Sequence, residues 1–254
     1  MKLLFIGDVV GDVGCQFLQD RLRAVKREHG IDVTVVNGEN AADGNGITAY
    51  AARRIFEAGA DVITTGNHAF QRRTDLHIYE DENILRPANY GEACPGRGVT
   101  VFDMGSTQVA IVNLQGLLYL DMLENPFDCA DAILEMLDTP NIFVDFHAEA
   151  TSEKRALGHY LAGRVTAVMG THTHVPTADA CILAAHTGYI TDVGMTGVED
   201  SVLGVDKQMA IDRMHLHVPV RFTEAKGACW MCGVIVEFEK KCGICTNITP
   251  LILR

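Results

Sequence analysis

The sequence predicts an α/β fold in which buried strands alternate with helices. Short apolar runs of strand length recur along the chain, and several are followed by a longer stretch with apolar residues at helical spacing. Two pairs of runs have the pattern of β-hairpins, which indicates a mixed sheet or a second sheet. The 254 residues, 48% of them hydrophobic, contain no internal repeat and no linker. We therefore expect one domain over residues 1–254.

The first third of the chain contains the clearest strand–helix units. Each predicted strand is a continuous apolar run that ends at Gly, Asn or Asp, and each helix follows after a short polar loop. Thr48 is a suitable N-cap for the second helix, and Gly59 is a suitable C-cap. The predicted strands span residues 3–6, 33–36 and 62–65, and the predicted helices span residues 13–29 and 48–58.

The rest of the chain is less regular. Two prolines and three glycines predict a long loop over residues 86–98. The predicted hairpins pair residues 99–102 with 108–113 and residues 234–238 with 244–248. The other predicted helices span residues 75–82, 128–137, 152–162 and 206–214, and the other strands span residues 142–146 and 165–169, with one more near Tyr189.

Charge and hydropathy limit the kinds of molecule that this protein is expected to bind. The chain has 21 Lys and Arg against 33 Asp and Glu, a formal net charge of −12. So acidic a surface disfavours binding to duplex DNA or to an anionic membrane. The apolar run at residues 3–6 is too short for a signal peptide, and no run is long enough for a transmembrane helix. We expect a cytoplasmic protein whose cysteines are reduced.

Residues capable of binding metal follow five of the predicted strands. Ligands of open α/β sheets bind outside the carboxyl ends of the strands, so these residues are expected to meet at one edge. Any one of them alone would be typical of an ordinary turn. All five strand ends together predict one polar site. Its residues are Asp8, Glu39, Asn40, Asn67, His68, His147, His172 and His174.

This set of ligands predicts a dinuclear metal centre. Two carboxylates, two carboxamides and four imidazoles are too many for one ion and suit two. Mixed nitrogen and oxygen donors favour Fe, Mn or Zn. Two divalent ions, less two carboxylates and one bridging hydroxide, leave a formal charge of about +1, which would attract a phosphodiester even on an acidic protein.

The chain resembles the calcineurin-like metallophosphoesterases, and within them the YmdB-like phosphodiesterases. The segments that carry the resemblance run almost end to end: FIGDVVG, VNGENAADGNGIT, GADVITTGNH, RPANY, VNLQG, VDFHAEATSEKRALG, GTHTHVPTAD and YITDVGMTG. The resemblance implies a four-layer α/β/β/α sandwich with two central, mostly mixed sheets and with metals at the strand ends. It also implies cyclic nucleotides as substrates, especially 2′,3′-cyclic monophosphates and also 3′,5′-cAMP, and a homodimer or larger assembly.

The resemblance also implies roles for individual residues. Asp8, Glu39, Asn40 and His174 would hold one metal, most consistently iron, with manganese or zinc as alternatives. Glu39 would bridge to a second metal completed by Asn67, His147 and His172. A metal-bridging hydroxide would attack phosphorus, and His68 would protonate the leaving oxygen.

Four positions differ from the residues that are usual in the metallophosphoesterase superfamily or in its YmdB-like branch. Val10 replaces the histidine usual in the first superfamily motif, and we infer that Asn40 supplies the missing ligand. The bridge is glutamate in place of aspartate. Ala69 follows His68 where an acidic residue is usual, so the group that orients His68 is not visible in the sequence. Leu117 stands where the YmdB-like branch would have arginine, which leaves substrate affinity or specificity open.

Two other functions are compatible with the same residues. One is a phosphomonoesterase or nucleotidase that uses the same site. The other is a regulatory protein that binds RNA or a protein partner and keeps metal as a structural element. The complete ligand set and His68 favour the phosphodiesterase.

Four cysteines form a CxxC…CxxC pattern that could bind structural zinc: Cys229, Cys232, Cys242 and Cys245. Only nine residues separate the two pairs, fewer than the about 15–20 of zinc ribbons. The predicted C-terminal hairpin would place Cys242 in the turn and Cys232 far along a strand. We therefore expect reduced thiols here.

Overall fold

Two mixed β-sheets lie at the centre of the protein, and the computed structural model describes residues 1–254. The first sheet has a parallel core in which β1 pairs with β3 and β3 pairs with β4. The long strand β12 pairs antiparallel with β13 on one side and with β1 and β11 on the other, and β2 joins β11 at the edge. These strands are β1 (Lys2–Ile6), β2 (Asp8–Val9), β3 (Val33–Asn37), β4 (Val62–Thr64), β11 (Met195–Val198), β12 (Cys229–Glu239) and β13 (Ile244–Leu253).

The second sheet has four parallel central strands, in the order β6, β7, β8 and β10. Antiparallel strands β5 and β9 close its two edges. The strands are β5 (Val99–Asp103), β6 (Gln108–Gln115), β7 (Ile142–His147), β8 (Ala167–Thr171), β9 (Cys181–Leu183) and β10 (Thr187–Ile190).

Helices follow the parallel strands, and their ends agree with the capping signals in the sequence. The Thr48 hydroxyl accepts a hydrogen bond from the Ala51 N–H at 3.2 Å, and Gly59 adopts a left-handed conformation with φ 116°. None of the helices combines the length and the hydrophobicity that a membrane crossing requires. They are α1 (Gly11–His29), α2 (Ala49–Ala58), α3 (Pro126–Met136), α4 (Thr151–Leu161) and α5 (Lys207–Leu216), with a 3₁₀ helix over Arg73–Glu80.

Three apolar layers hold these elements together. In the central layer the inner faces of the two sheets meet, with Phe5 and Val35 on one side and Phe143 and Met169 on the other. The outer face of the first sheet packs against α1 and α2, and that of the second sheet packs against α3 and α4. Successive residues of a strand face opposite sides, so both faces of the parallel strands are apolar. The prediction of a four-layer α/β/β/α sandwich with two mixed sheets is confirmed.

The structure differs from the predicted elements mainly where a strand is short or polar. The strands β2, β9 and β11 were not predicted. β2 and β11 depend on partners distant in sequence, and β9 is a three-residue strand that pairs with the neighbouring β10. The predicted helix at residues 75–82 is a 3₁₀ helix that begins at Arg73. The C-terminal hairpin is longer than predicted, since β12 and β13 pair from Met231 with Leu253 to Glu239 with Ile244.

Candidate metal centre

The carboxyl ends of both sheets meet at one edge, and all eight predicted site residues lie there. Asp8 follows β1, Glu39 and Asn40 follow β3, and Asn67 and His68 follow β4, all in the first sheet. His147 is the last residue of β7, and the segment after β8 carries His172 and His174 in the second sheet. Asp8, Glu39, Asn40 and His147 are buried, and the other four are half-buried. The arrangement places both carboxylates, both amides and His68 opposite the other three imidazoles.

His147 lies at the centre of a tight group of ligand atoms. Its Nε2 lies 3.1 Å from Glu39 Oε1, 3.0 Å from Asn67 Oδ1 and 3.0 Å from His172 Nδ1. Ligand atoms of Glu39, His147 and His172 all lie within 4.8 Å of one another. One N–H cannot serve three acceptors, and a cation among these atoms could satisfy all of them.

Electrostatics support the same conclusion. Burial alone would raise the pKa of Glu39, but His147 and His68 hold that pKa well below its ordinary value. Burial would lower the pKa of His147, and the Glu39 carboxylate instead raises it to about 9. Burial and the neighbouring His147 lower the pKa of His172 to about 3. Without metal, a proton therefore stays on His147, where it neutralises the buried carboxylate.

A second group lies around Asp8. Its Oδ1 is buried with no hydrogen-bond partner. The nearest imidazole nitrogens, His174 Nε2 and His147 Nδ1, are 3.7 and 3.9 Å away, too far for hydrogen bonds. Asn40 Nδ2 lies 3.1 Å from His174 Nε2 and 3.1 Å from Glu39 Oε1. Burial raises the pKa of Asp8. Its Oδ2 accepts the His172 backbone N–H at 3.1 Å, whereas leaving Oδ1 buried without a partner is costly unless a cation binds there.

Hydrogen bonds on the side of the ring away from the cluster fix the orientation of His147. Its Nδ1 lies 2.9 Å from Thr171 Oγ1, and the Thr171 hydroxyl donates to Asp145 Oδ1 at 2.7 Å. The amide of Asn37 donates to the other Asp145 oxygen at 3.0 Å and so joins the two sheets. Because the hydroxyl gives its hydrogen to Asp145, the Thr171 oxygen accepts from His147 Nδ1. The lone pair of Nε2 then faces the cluster, as a metal ligand requires.

The other two histidines are oriented in the same way. His172 Nε2 lies 3.0 Å from Glu149 Oε2, which leaves Nδ1 directed at His147. His174 Nδ1 donates to the Leu203 carbonyl at 3.0 Å, which leaves Nε2 directed at Asp8 and Asn40. Each of these imidazoles thus has an oxygen acceptor behind it and a nitrogen toward the cluster. Such support is typical of metal-binding histidines, so the residues present fit a metal centre.

The segment between these histidines is strained and tied down. His172 and His174 have φ values of 100° and 64°, which non-glycine residues rarely adopt. Between them, Thr173 donates its backbone N–H and its hydroxyl to Asp192 Oδ2 at 3.0 and 2.8 Å. Lys154 Nζ lies 2.7 Å from the same oxygen, and both charged side chains are 1% exposed. This buried ion pair fixes the segment that carries two predicted ligands.

His68 lies at the boundary of the cluster. Its Nδ1 is 2.8 Å from Asn40 Oδ1 and 3.4 Å from Glu39 Oε1, and its backbone N–H donates to Glu39 Oε2 at 3.1 Å. Asn40 therefore orients the ring, a contact that the sequence did not reveal. Nε2 has no protein partner and is free to meet a ligand.

Several supporting residues were missed from the sequence. Asp145 precedes His147 by two positions and so shares its side of β7, which is a signal that the sequence contained. Thr171, Glu149 and Asp192 carried no such signal, because the Thr171 contact depends on which strand pairs with β7 and the other two depend on how the loops fold. Near Leu117, the Glu153 carboxylate accepts the Leu117 N–H at 2.8 Å, so this position is fixed through its backbone.

The four cysteines of the CxxC pairs are spread along the C-terminal hairpin. Cys232 pairs with Ile252 along the hairpin, Cys245 pairs with Phe238, and Cys242 is exposed in the turn. All four are free thiols. Glu39, His147 and His172 form the one group of three or more His, Cys, Asp or Glu side chains that is close enough to share an ion.

Comparisons with known proteins identify the family of this chain. The family model described as YmdB-like protein matches residues 4–251. A Bacillus subtilis (strain 168) protein named 2′,3′-cyclic-nucleotide 2′-phosphodiesterase is 43% identical over 100% of this chain and 97% of its own. A crystal structure of a hypothetical protein from Thermus thermophilus has a TM-score of 0.95 at 38% identity, covering 99% of this chain and 98% of that one. The crystal structure of a novel phosphatase from Mycoplasma pneumoniae has a TM-score of 0.95 at 31% identity, covering 100% and 93%.

Proposed function

This chain belongs to the YmdB-like family, and we propose that it hydrolyses cyclic nucleotides at a dinuclear metal site. As a member of that family it is a hydrolytic metallophosphoesterase. The observation that carries the proposal is the group around His147 Nε2. Oxygen or nitrogen atoms of Glu39, Asn67 and His172 all lie within 3.1 Å of that nitrogen, and its one N–H could not bond to all three. The family and this geometry together support metal-dependent phosphodiester hydrolysis.

The two groups of ligand atoms suggest how two ions would be held. Asp8, Asn40 and His174 would bind one, and Asn67, His147 and His172 would bind the other. Glu39 contacts both groups, which suits it to bridge them. When bound, the metals would supply Lewis acidity for the phosphoryl oxygens and an activated water as nucleophile. Nitrogen and oxygen donors without thiolates favour Fe, Mn or Zn.

The chain's own residues then position the ligands and move one proton. Thr171, Glu149 and the Leu203 carbonyl keep the imidazoles aimed at the cluster. His68 Nε2, free of protein partners, would donate a proton to the oxygen that leaves phosphorus. Its Nδ1, held against Asn40, fixes the direction of that donation.

We infer the substrate class from the name of the Bacillus subtilis relative. Because the Bacillus subtilis protein is named for 2′,3′-cyclic nucleotides, we propose the same class here, with 3′,5′-cAMP as a second candidate. The charge of the site supports an anionic diester, since two metals would outweigh the two carboxylates.

The test is elemental analysis of the purified protein together with 2′,3′-cyclic AMP hydrolysis on the same sample. We expect about two equivalents of Fe, Mn or Zn per chain, and turnover that chelation abolishes. Less than one equivalent, not restored by added metal, would contradict the site. Two equivalents with turnover of p-nitrophenyl phosphate, but none of bis-p-nitrophenyl phosphate, would indicate a phosphomonoesterase. Two equivalents with no turnover would favour a regulatory binding protein.

A further inference from the structure

A cavity of about 570 Å³ opens directly beside the predicted metal ligands. Its walls are loops: residues 43–45 after β3, residues 68–72 after β4, and two segments, 204–205 and 221–224, in the C-terminal third. A smaller cavity of about 250 Å³ lies over the ligand cluster itself. His68 and Gly44 line both, so the two spaces adjoin at the predicted proton donor.

We propose that the larger cavity is the subsite for the nucleoside of the substrate, with Phe222 as its stacking platform. This inference rests on the proposed function. In hydrolysis of a 2′,3′-cyclic phosphate, a water molecule gives up one proton and its oxygen bonds to phosphorus, one bond from phosphorus to a ribose oxygen breaks, and that ribose oxygen takes one proton. The donor must face the leaving oxygen. If His68 is the donor, the ribose and its base lie on the His68 side, where this cavity provides space.

The charges of the cavity suit a neutral ligand better than a second phosphate. The Arg72 guanidinium lies 3.3 Å from Asp43 Oδ2 and donates to the Asn45 carbonyl at 2.8 Å, so its charge is already paired with a carboxylate of the protein. The Glu224 carboxyl lies against the start of α1, so close that it would clash with a Cβ at Gly11. Arg221 has no acidic partner in the structure. Two arginines against two acids leave no net positive charge to hold another anion.

The exposed side chains of the wall match a nucleoside base. The Phe222 side chain is 47% exposed although it is aromatic, and Arg221 precedes it in the wall. Bases stack on aromatic rings, and arginine can add hydrogen bonds or a second stacking surface. Gln71 adds an amide that can meet the base edge or a ribose hydroxyl. The volume lies within the range of about 300–1,000 Å³ found for small-molecule sites.

The wall is also coupled to the ligand cluster. Asp206 N–H donates to the Thr223 carbonyl at 3.0 Å, and Ala225 N–H donates to the Gly204 carbonyl at 2.9 Å. These bonds attach the segment that carries Phe222 to the loop whose Leu203 carbonyl holds His174. A base on Phe222 would therefore be held at a fixed distance from the predicted metals.

The experiment uses the metal-loaded enzyme with adenosine 2′,3′-cyclic phosphate as substrate and adenosine as a competitor without phosphate. In Phe222→Ala we expect KM and the adenosine inhibition constant to rise about five- to hundredfold, the effect of losing one base stack. The change in kcat should be smaller than the change in KM, because stacking binds ground state and transition state alike. Phe222→Tyr should restore KM, and Arg221→Ala should raise KM as well.

Tyr160→Ala is the matched control. Tyr160 is a 42% exposed aromatic residue near the C-terminal end of α4, at the edge away from the cluster, so its loss should leave KM for the cyclic phosphate unchanged. One result would disprove the subsite: the wild-type protein hydrolyses the cyclic phosphate, and both Phe222→Ala and Arg221→Ala show the same KM and the same inhibition by adenosine as the wild-type protein. That result would leave the proposed function intact.

Failure of the proposed function has a different signature. If the wild-type protein hydrolysed no diester, calorimetry with adenosine would still decide the subsite. Adenosine binding that is lost in Phe222→Ala would support it, and absence of binding to the wild-type protein would overturn it.

Discussion

The ligand cluster and the large cavity share His68, yet they are built in different ways. The cluster consists of mostly buried side chains at the ends of parallel strands, and its histidines are supported by further hydrogen bonds. The cavity wall consists of loop residues such as Gln71, Arg221 and Phe222, which are exposed. The comparison teaches that the sheets fix the chemistry, whereas loops are free to set the choice of substrate. Variants of the predicted metal ligands should therefore change metal content, and variants in the wall should change KM.

The largest effect is expected for His172→Ala. Loss of a predicted ligand should remove at least one metal equivalent and several kcal/mol of transition-state stabilisation, which is about a thousandfold or more in rate. Elemental analysis and initial rates measure both quantities. The control is His159→Ala on the exposed face of α4, which should keep metal and rate. Full metal content in His172→Ala would contradict its assigned role.

His68→Ala separates proton donation from metal binding. The variant should keep its metal and lose about 10²–10⁴-fold in diesterase rate, the usual range for a general acid. The loss should be smaller for a diester with a p-nitrophenol leaving group, since that group needs little protonation. Equal metal loss in His68→Ala and His172→Ala would contradict the difference between the two residues.

Lys154→Met tests the buried ion pair behind the cluster. Removing the lysine leaves Asp192 buried without its cation, which should lower the free energy of unfolding by about 3–5 kcal/mol. The matched control is Lys207→Met, whose partner Asp200 is exposed, and it should cost less than about 1 kcal/mol. Urea unfolding of the two variants gives the comparison. Similar values for both would show that the buried pair has no special role.

Thr171→Val tests the support of His147 with little change in volume. The hydroxyl between His147 and Asp145 is lost, so metal affinity should fall about 10–100-fold. Competition with a chelator measures that affinity. Thr34→Val is the control, since Thr34 is equally buried on β3 and its hydroxyl has no partner. An unchanged affinity in Thr171→Val would mean that His147 is oriented by the cluster alone.

The smallest effect is expected on the cavity side. Arg72→Met removes the guanidinium that holds the loop at residues 43–45, and contacts of about 0.5–1.5 kcal/mol predict a two- to tenfold rise in KM. Metal content should not change. Arg97→Met, at an exposed pair with Glu82, is the control. Metal loss in Arg72→Met would contradict the prediction that residues of the cavity wall affect KM and not metal binding.

Local patterns in the sequence determined the longer strands, most helices and the kind of residue that follows each parallel strand. Burial requires apolar runs, caps require particular side chains, and parallel strands must end at one edge, so the eight site residues could be predicted to meet. Their metal-binding roles stay predictions. The pattern also gave Thr48 and Gly59 as helix caps.

Only the tertiary structure decided which side chains support the site and what lies beside it. Thr171 reaches His147 through the pairing of β7 with β8, whereas Glu149 and the Leu203 carbonyl reach the other histidines through loops. No local pattern specifies either kind of contact. The same holds for the cavity, whose walls join residues 43–45 to residues 221–224, and for the separation of the four cysteines along the hairpin. Such contacts depend on the packing of distant segments, whereas strand and helix patterns depend on neighbours along the chain.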